Sequence, residues 1–251
     1  SADDKGFCAA MILVVKDLIE RGVRLAGDVN LCFISDEEGT SKGTMDYVKR
    51  HRPEATLILE SAPLEHICVT HQGFGWLKIT TKGKAGHGSA GEVSSDAIYH
   101  MSEVIVRLQK NQRENFAQYI HPMNGETVYH TGFIRGGTDY ASYPEECVLG
   151  IEIGTQPGET IQSRINEIEE IFVEVKEFCP TFDGHVNVVI ARDPFIASDH
   201  EELYDIVSAS IEKQLGIPAK AVGENSWGDS QLFQDAGFPT LGLGCRGGNL
   251  H

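Results

Sequence analysis

The hydrophobic pattern of this chain changes period twice, and that change constrains the fold more than any other feature. Val29 to Ser35 and Thr56 to Leu59 are short, almost wholly apolar runs set between helical segments. Strands of this kind are buried on both faces, so the flanking helices must cover both sides of their sheet. From Gly73 the pattern alternates instead: Trp76, Lys78 and Thr80 interleave with Leu77, Ile79 and Thr81, as in a strand with one wet face. A helix follows, with Ile98, Met101, Val104, Ile105 and Leu108 on one stripe. Strands are expected near 128–134 and 147–153, then a helix striped by Ile161, Ile165, Ile168, Ile171, Phe172 and Val175. A strand near 185–190 closes a β-α-β-β-α-β order, that of an α+β ferredoxin-like sandwich.

After Pro194 the first pattern resumes. Ser198 with Glu201 reads as a capping box for a helix bearing Leu203, Ile206, Val207 and Ile211. A strand at 219–223, a helix at 230–236 and a strand at 239–243 complete it. Upstream, helices are expected over 7–23, stopped by Gly22, and over 40–51, stopped by Arg52-Pro53. The expected organisation is an α/β domain in two parts, 1–72 and 193–251, interrupted by an inserted α+β domain at 73–192.

A formal net charge of -16 makes nucleic acid and anionic membrane surfaces poor partners, because both would be repelled. No run approaches the length of apolar sequence that spans a bilayer. The six cysteines are scattered, mostly within apolar runs, and read as free thiols in a reducing cytoplasm. The chain lacks an initiator methionine and stops at His251, so it is expected to be part of a longer polypeptide.

The acids fall where chemistry is done in an α/β sheet. Glu37 and Glu38 follow one expected strand, Glu60 ends another, and Asp3 precedes the first helix. The carboxyl ends of such strands form the ligand-binding crevice. Acids gathered there without basic partners cost several kcal/mol each, a penalty that divalent metal removes. The competing reading is that these are solvated loop acids. His251 follows a Gly-rich stretch, Gly244 to Gly248, that carries neither a Walker pattern nor a dinucleotide fingerprint.

Asp3-Asp4-Lys5-Gly6 followed by Glu37-Glu38-Gly39 resembles the co-catalytic zinc amidohydrolase family of acetylornithine deacetylase, succinyl-diaminopimelate desuccinylase, aminoacylase and the glutamate carboxypeptidases. Further matches follow in order: Glu60-Ser61-Ala62-Pro63, Gly83-Lys84-Ala85-Gly86-His87-Gly88-Ser89, Gly136-Gly137 with Tyr143-Pro144, Pro157-Gly158-Glu159, Asp229 and His251. The resemblance implies a zinc-exopeptidase-like catalytic domain whose inserted domain serves as lid and homodimer contact. It implies two divalent metals, zinc foremost with cobalt or manganese as alternatives. Asp3 would bridge them, Glu60 would bind the first, and Glu38 with His251 the second. Glu37 would be the general base on the attacking water, and His87 would donate to the developing oxyanion, across the dimer interface. Asp4 would orient the site or cap the first helix. The implied reaction is hydrolysis of an amide in an N-acyl amino acid or small peptide.

Three departures stand out. The family's first metal also takes a histidine from a His-x-Asp motif upstream of the bridging aspartate, and this chain begins at Ser1. Ala141 stands where the family often has asparagine, and Gly154 where it commonly has the arginine that grips a substrate carboxylate. Arg135 and Arg246 are the candidates to replace that arginine. A member without catalytic power, serving as a small-molecule binder or dimeric scaffold, is the alternative reading.

Overall fold

A computed structural model gives the structure of residues 4–93 and 95–245. The chain opens with helices α1 (Lys5–Glu20) and α2 (Lys42–Arg50), then strands β1 (Thr56–Ser61) and β2 (His66–His71). Next come β3 (Gly73–Lys82), β4 (Gly86–His87), α3 (Ala97–Glu114), β5 (Ile120–His121), β6 (Gly125–Glu126) and β7 (Tyr129–Gly136). They are followed by β8 (Ser142–Tyr143), β9 (Glu146–Thr155), α4 (Ile161–Phe178) and β10 (Asp183–Arg192). Then come β11 (Phe195–Ile196), α5 (Glu201–Leu215), β12 (Lys220–Glu224), α6 (Ser230–Asp235) and β13 (Thr240–Cys245). The elements divide into two compact units, Ser1–Thr70 with Phe195–Gly223 and Gly228–His251, and His71–Pro194 with Glu224–Trp227.

The first unit is α/β. Its sheet runs β1-β13-β2-β11, with β12 also paired to β2; β1 and β13 are parallel, β13 and β2 antiparallel. Ile67, Phe195, Ala197 and Leu241 form its core with Val207 of α5, and Leu203, Tyr204 and Ile211 pack against them. Leu203, Val207 and Ile211 of the expected α5 stripe thus face the core, whereas Ile206 is 58% exposed, and Gly216 at φ 71° ends the helix in the left-handed conformation that glycine adopts most readily.

Three expectations for this unit are corrected. Residues 29–34 carry no strand assignment, and Val29 and Phe33 are 56% and 53% exposed. An apolar run has the composition of a strand, but a strand exists only as part of a ladder. Second, β2 and β11 join the sheet although neither was expected. Third, Ser198 makes no capping box: its N–H donates to Gln234 Oε1, and the Gln234 amide donates back to Ser198 Oγ. His200 is the N-cap of α5 instead, without a side-chain bond.

The second unit is the expected α+β sandwich. Its sheet has the order β10-β3-β9-β7 with every pair antiparallel. Leu77 lies opposite Ile151 and Ile79 opposite Leu149, so the buried side of the alternation lines up across strands. These residues share one core with Met101, Val104 and Leu108 of α3 and Ile168, Ile171, Phe172 and Val175 of α4. Each such side chain contributes roughly 1.5–3 kcal/mol by leaving water. Asp96 caps α3 by accepting from Ile98 N and Tyr99 N, and Thr160 with Ser163 forms a capping box on α4. Among the described residues no helix is long and apolar enough to cross a membrane.

Candidate functional site

Glu37 and Glu38 lie on a loop whose two ends meet. Gly43 N–H donates to Ser35 O at 3.2 Å, closing residues 36–42 into a turn that leads directly into α2. Glu37 is half-buried and Glu38 exposed. Asp36, just before them, has its carboxyl held below the usual range, chiefly by the hydrogen bond from the Thr40 hydroxyl. Behind the turn the fully buried Thr44 of α2 donates its hydroxyl to Asp229, which precedes α6 and is 4% exposed. Asp229, a residue of the motif series, thus anchors the helix that follows the acidic turn.

Glu60 is half-buried in the penultimate position of β1, opposite Gly244 of β13. The strands come together there because position 244 has no side chain: a Cβ on Gly244 would stand 2.4 Å from the Ala62 Cβ and carbonyl oxygen. Asp4 is the N-cap of α1 through its main chain, with its carbonyl accepting from Phe7 N and Cys8 N. Its side chain accepts from the Cys8 thiol rather than from the helix, a correction to the capping role expected of it. Asp3, Arg246 and His251 lie outside the described residues, so the ligand set read from the sequence is seen here only through Glu38 and Glu60. Among the described residues no three His, Cys, Asp or Glu side chains gather to hold a metal. Glu38 and Glu60 are nonetheless oxygen donors of the kind that zinc, cobalt and manganese accept.

His87 belongs to the second unit, in a short ladder where Gly86 pairs with Tyr143 and His87 with Ser142. Ser89 N–H donates to His87 Nδ1 at 3.3 Å, with the Ser89 hydroxyl 2.9 Å from the same atom. An Nδ1 that accepts leaves the neutral ring's proton on Nε2, so the exposed ring presents an N–H donor. The motif residues around it build this platform. A Cβ on Gly83 would lie 2.4 Å from Pro144 O, 2.5 Å from Ser95 O and 2.8 Å from Ala97 N, so only glycine lets these segments meet. Gly88 N donates to Ala141 O, and Ala141 N to Asp139 Oδ1.

Arg135 lies on β7 with its guanidinium 4.8 Å from the Phe133 ring centroid. Gly154 is also explained: a Cβ there would be 2.5 Å from Gln72 Oε1 and 3.2 Å from Val128 N, so no arginine is accommodated at that position with Gln72 in place. Gln72 is buried, donating to Glu126 O and accepting from Val128 N, while Gln156 bonds Asn124, Gly125 O and Thr127. Sequence reasoning missed this amide network, as it missed Arg164. That residue is 4% exposed and donates to Gly154 O, Glu159 and Glu167. Pro157-Gly158-Glu159 therefore supplies one of the two half-buried acids that meet the buried Arg164 guanidinium at the start of α4.

Comparison with known proteins places the second unit. Residues 69–177 match the peptidase dimerisation domain family. Carboxypeptidase G2 of Pseudomonas sp. (strain RS-16) is 32% identical over 209 residues, covering 79% of this chain and 46% of the relative. Acetylornithine deacetylase of Proteus mirabilis is 28% identical over 248 residues, covering 97% of this chain and 62% of the relative. In structure, a tripeptidase from Staphylococcus aureus superposes with a TM-score of 0.84 at 20% identity, covering 100% of this chain and 64% of that one. The chain thus spans less than two thirds of the length of each of these proteins.

Proposed function

From the premise that residues 69–177 are an M20 peptidase dimerisation domain inserted in an M20-type fold, we propose that this protein is the greater part of a metal-dependent amide hydrolase. Its substrates are N-acyl amino acids or small peptides. The observation that carries this reading is the closed turn presenting Glu37 and Glu38 from the α/β unit. Asp3, Glu38, Glu60 and His251 hold the metals, zinc in the first instance. Divalent metal held there would supply Lewis acidity and bring the pKa of its bound water down to about 7.

The remaining work falls to the chain's own side chains. A carboxylate oxygen of Glu37 takes the proton of the attacking water and delivers it to the departing amine nitrogen. His87 of a second copy, reaching across the dimer interface, would donate Nε2–H to the oxyanion, a contact commonly worth about 3 kcal/mol of barrier. Arg135 and Arg246 are the cations left to meet a substrate carboxylate, since Gly154 offers none. That gap is also what favours the second reading, a binding or scaffold protein of the same fold.

The protein acts as a homodimer through the second unit. Supporting this, β7 is an edge strand, and α3 exposes Ile98, Tyr99 and Val106 by 42%, 45% and 63%. Among the described residues Cys8, Cys32, Cys147 and Cys179 are free thiols, which suits a cytoplasmic location. The test is release of free amine from N-acetyl and N-succinyl amino acids, dipeptides and tripeptides after loading with zinc, cobalt or manganese. Release that a chelator abolishes supports the hydrolase; stoichiometric metal with no release from any substrate leaves the scaffold reading.

A further inference from the structure

The turn that carries Glu37 and Glu38 is organised around the residue before them. Asp36 has a left-handed backbone, φ 68°, which aspartate tolerates better than most side chains. Its Oδ2 accepts from the Thr40 hydroxyl at 2.5 Å and from the backbone N–H groups of Thr40 and Lys42, each at 3.3 Å. Its main-chain oxygen accepts from Gly39 N at 3.3 Å and Ser41 N at 2.8 Å. Oδ1 faces Gly39 so closely that a Cβ there would lie 2.5 Å away. One aspartate therefore gathers the backbone from 39 to 42, immediately after the two glutamates.

Asp36, Glu38 and Thr40 are exposed and Ser41 is buried, 1% exposed, while the turn contributes no side chain to either hydrophobic core. Its ends are braced separately. A Cβ on Gly43 would lie 2.5 Å from Ser35 O and 2.9 Å from Ile34 Cγ2, and Thr44 is tied to Asp229. Hydrogen bonds to Asp36 hold the middle. An oxygen that already accepts from three donors inside the turn is not turned out toward a ligand.

We propose that Asp36 is a positioning residue: through Thr40 and Lys42 it fixes the direction in which Glu37 and Glu38 project, touching neither metal nor substrate itself. The proposal rests on the hydrolase reading for its functional consequence. Its test uses the full chain with Asp36→Ala, Asp36→Asn and Thr40→Val. Hydrogen exchange of the 39–42 amides is measured without metal, followed by zinc affinity, kcat, KM and melting temperature.

For Asp36→Ala, exchange at 39–42 should rise at least tenfold, while the strands of both sheets keep their protection. Zinc affinity or kcat should fall about 10- to 100-fold, the usual effect of losing a group that orients a metal ligand, with KM within about twofold. Asp36→Asn, whose amide oxygen accepts in the same place, should recover most of that loss, and Thr40→Val should fall between. Unchanged exchange at 39–42 in Asp36→Ala overturns the proposal. So does a loosened turn with unaltered zinc affinity and kcat, or an Asp36→Asn variant as damaged as the alanine. A wild-type protein that neither binds zinc nor releases amine sinks the hydrolase reading alone, because the metal-free exchange measurement still decides whether Asp36 organises the turn.

Discussion

Replacing Arg164 with alanine should cost the second unit about 3 kcal/mol, an amount that follows from what the guanidinium touches. The side chain is 4% exposed, and its three nitrogens donate to Gly154 O at 3.1 Å, to Glu167 at 2.7 Å and to Glu159 at 2.5 Å. Its Cζ also lies 4.5 Å from the centroid of the Phe116 ring. Truncation strands a buried carbonyl and two carboxylates. Breaking a fully buried pair costs about 3–5 kcal/mol, but the two acids are 30% and 32% exposed and water recovers part of it, leaving about 2–4. For a unit of this size that lowers the melting temperature by roughly 10 °C. Both tryptophans, Trp76 and Trp227, belong to this unit, so tryptophan fluorescence during urea or thermal unfolding follows it selectively. Arg164→Lys keeps the charge but not the three-way fork and should fall between. Arg107→Ala is the control: that side chain is 21% exposed and pairs with Glu103 one turn away, so it should lose less than about 1 kcal/mol. An Arg164→Ala loss no larger than the control's would refute the reasoning.

Gly83→Ala would push a methyl group against three backbone atoms that cannot rotate away, so it should cost about 1–3 kcal/mol by the same fluorescence assay; a neutral result would contradict the close approach of Pro144 and Ser95. Burial pushes the Tyr129 hydroxyl up to about 12, so the folded state resists its ionisation. Its contribution is fully present below the ordinary tyrosine value of about 10 and is lost as pH rises toward 12. The stability of Tyr129→Phe should accordingly fall less steeply across that window in alkaline denaturation. Val106→Asp, on the exposed face of α3, should turn a dimer into a monomer by sedimentation while leaving the melt of the second unit unchanged; a persistent dimer would point to another interface.

Much of the second unit was legible because its alternation is unambiguous. Trp76 is 36% exposed while its neighbour Leu77 is 1% exposed, and strands and helices with such stripes have few other ways to bury them. The first unit was read less well for identifiable reasons. β11 is two residues long and has no period to detect, whereas residues 29–34 have the composition of a strand but no ladder among the described residues. Ser198 fits a capping motif locally, yet Gln234, distant in sequence, competes for it through tertiary contact. The same limit hid the amide cluster of Gln72, Asn124 and Gln156, whose members become neighbours only once the sheet forms. The motifs of the candidate site named residues in the sequence, but not the contacts that support them. Asp36 and Asp229 brace the acidic turn, and Gly83 and Pro144 shape the ladder that holds His87.

The central claim is that Glu37 moves the proton while other side chains hold the metal. Turnover and zinc content measured together on Glu37→Gln test it most directly. The account predicts zinc bound as in the wild type, with amine release reduced at least about 100-fold, the lower end of what a positioned base contributes. Wild-type turnover by the glutamine variant would contradict it, and loss of zinc alongside activity would assign Glu37 to metal binding instead.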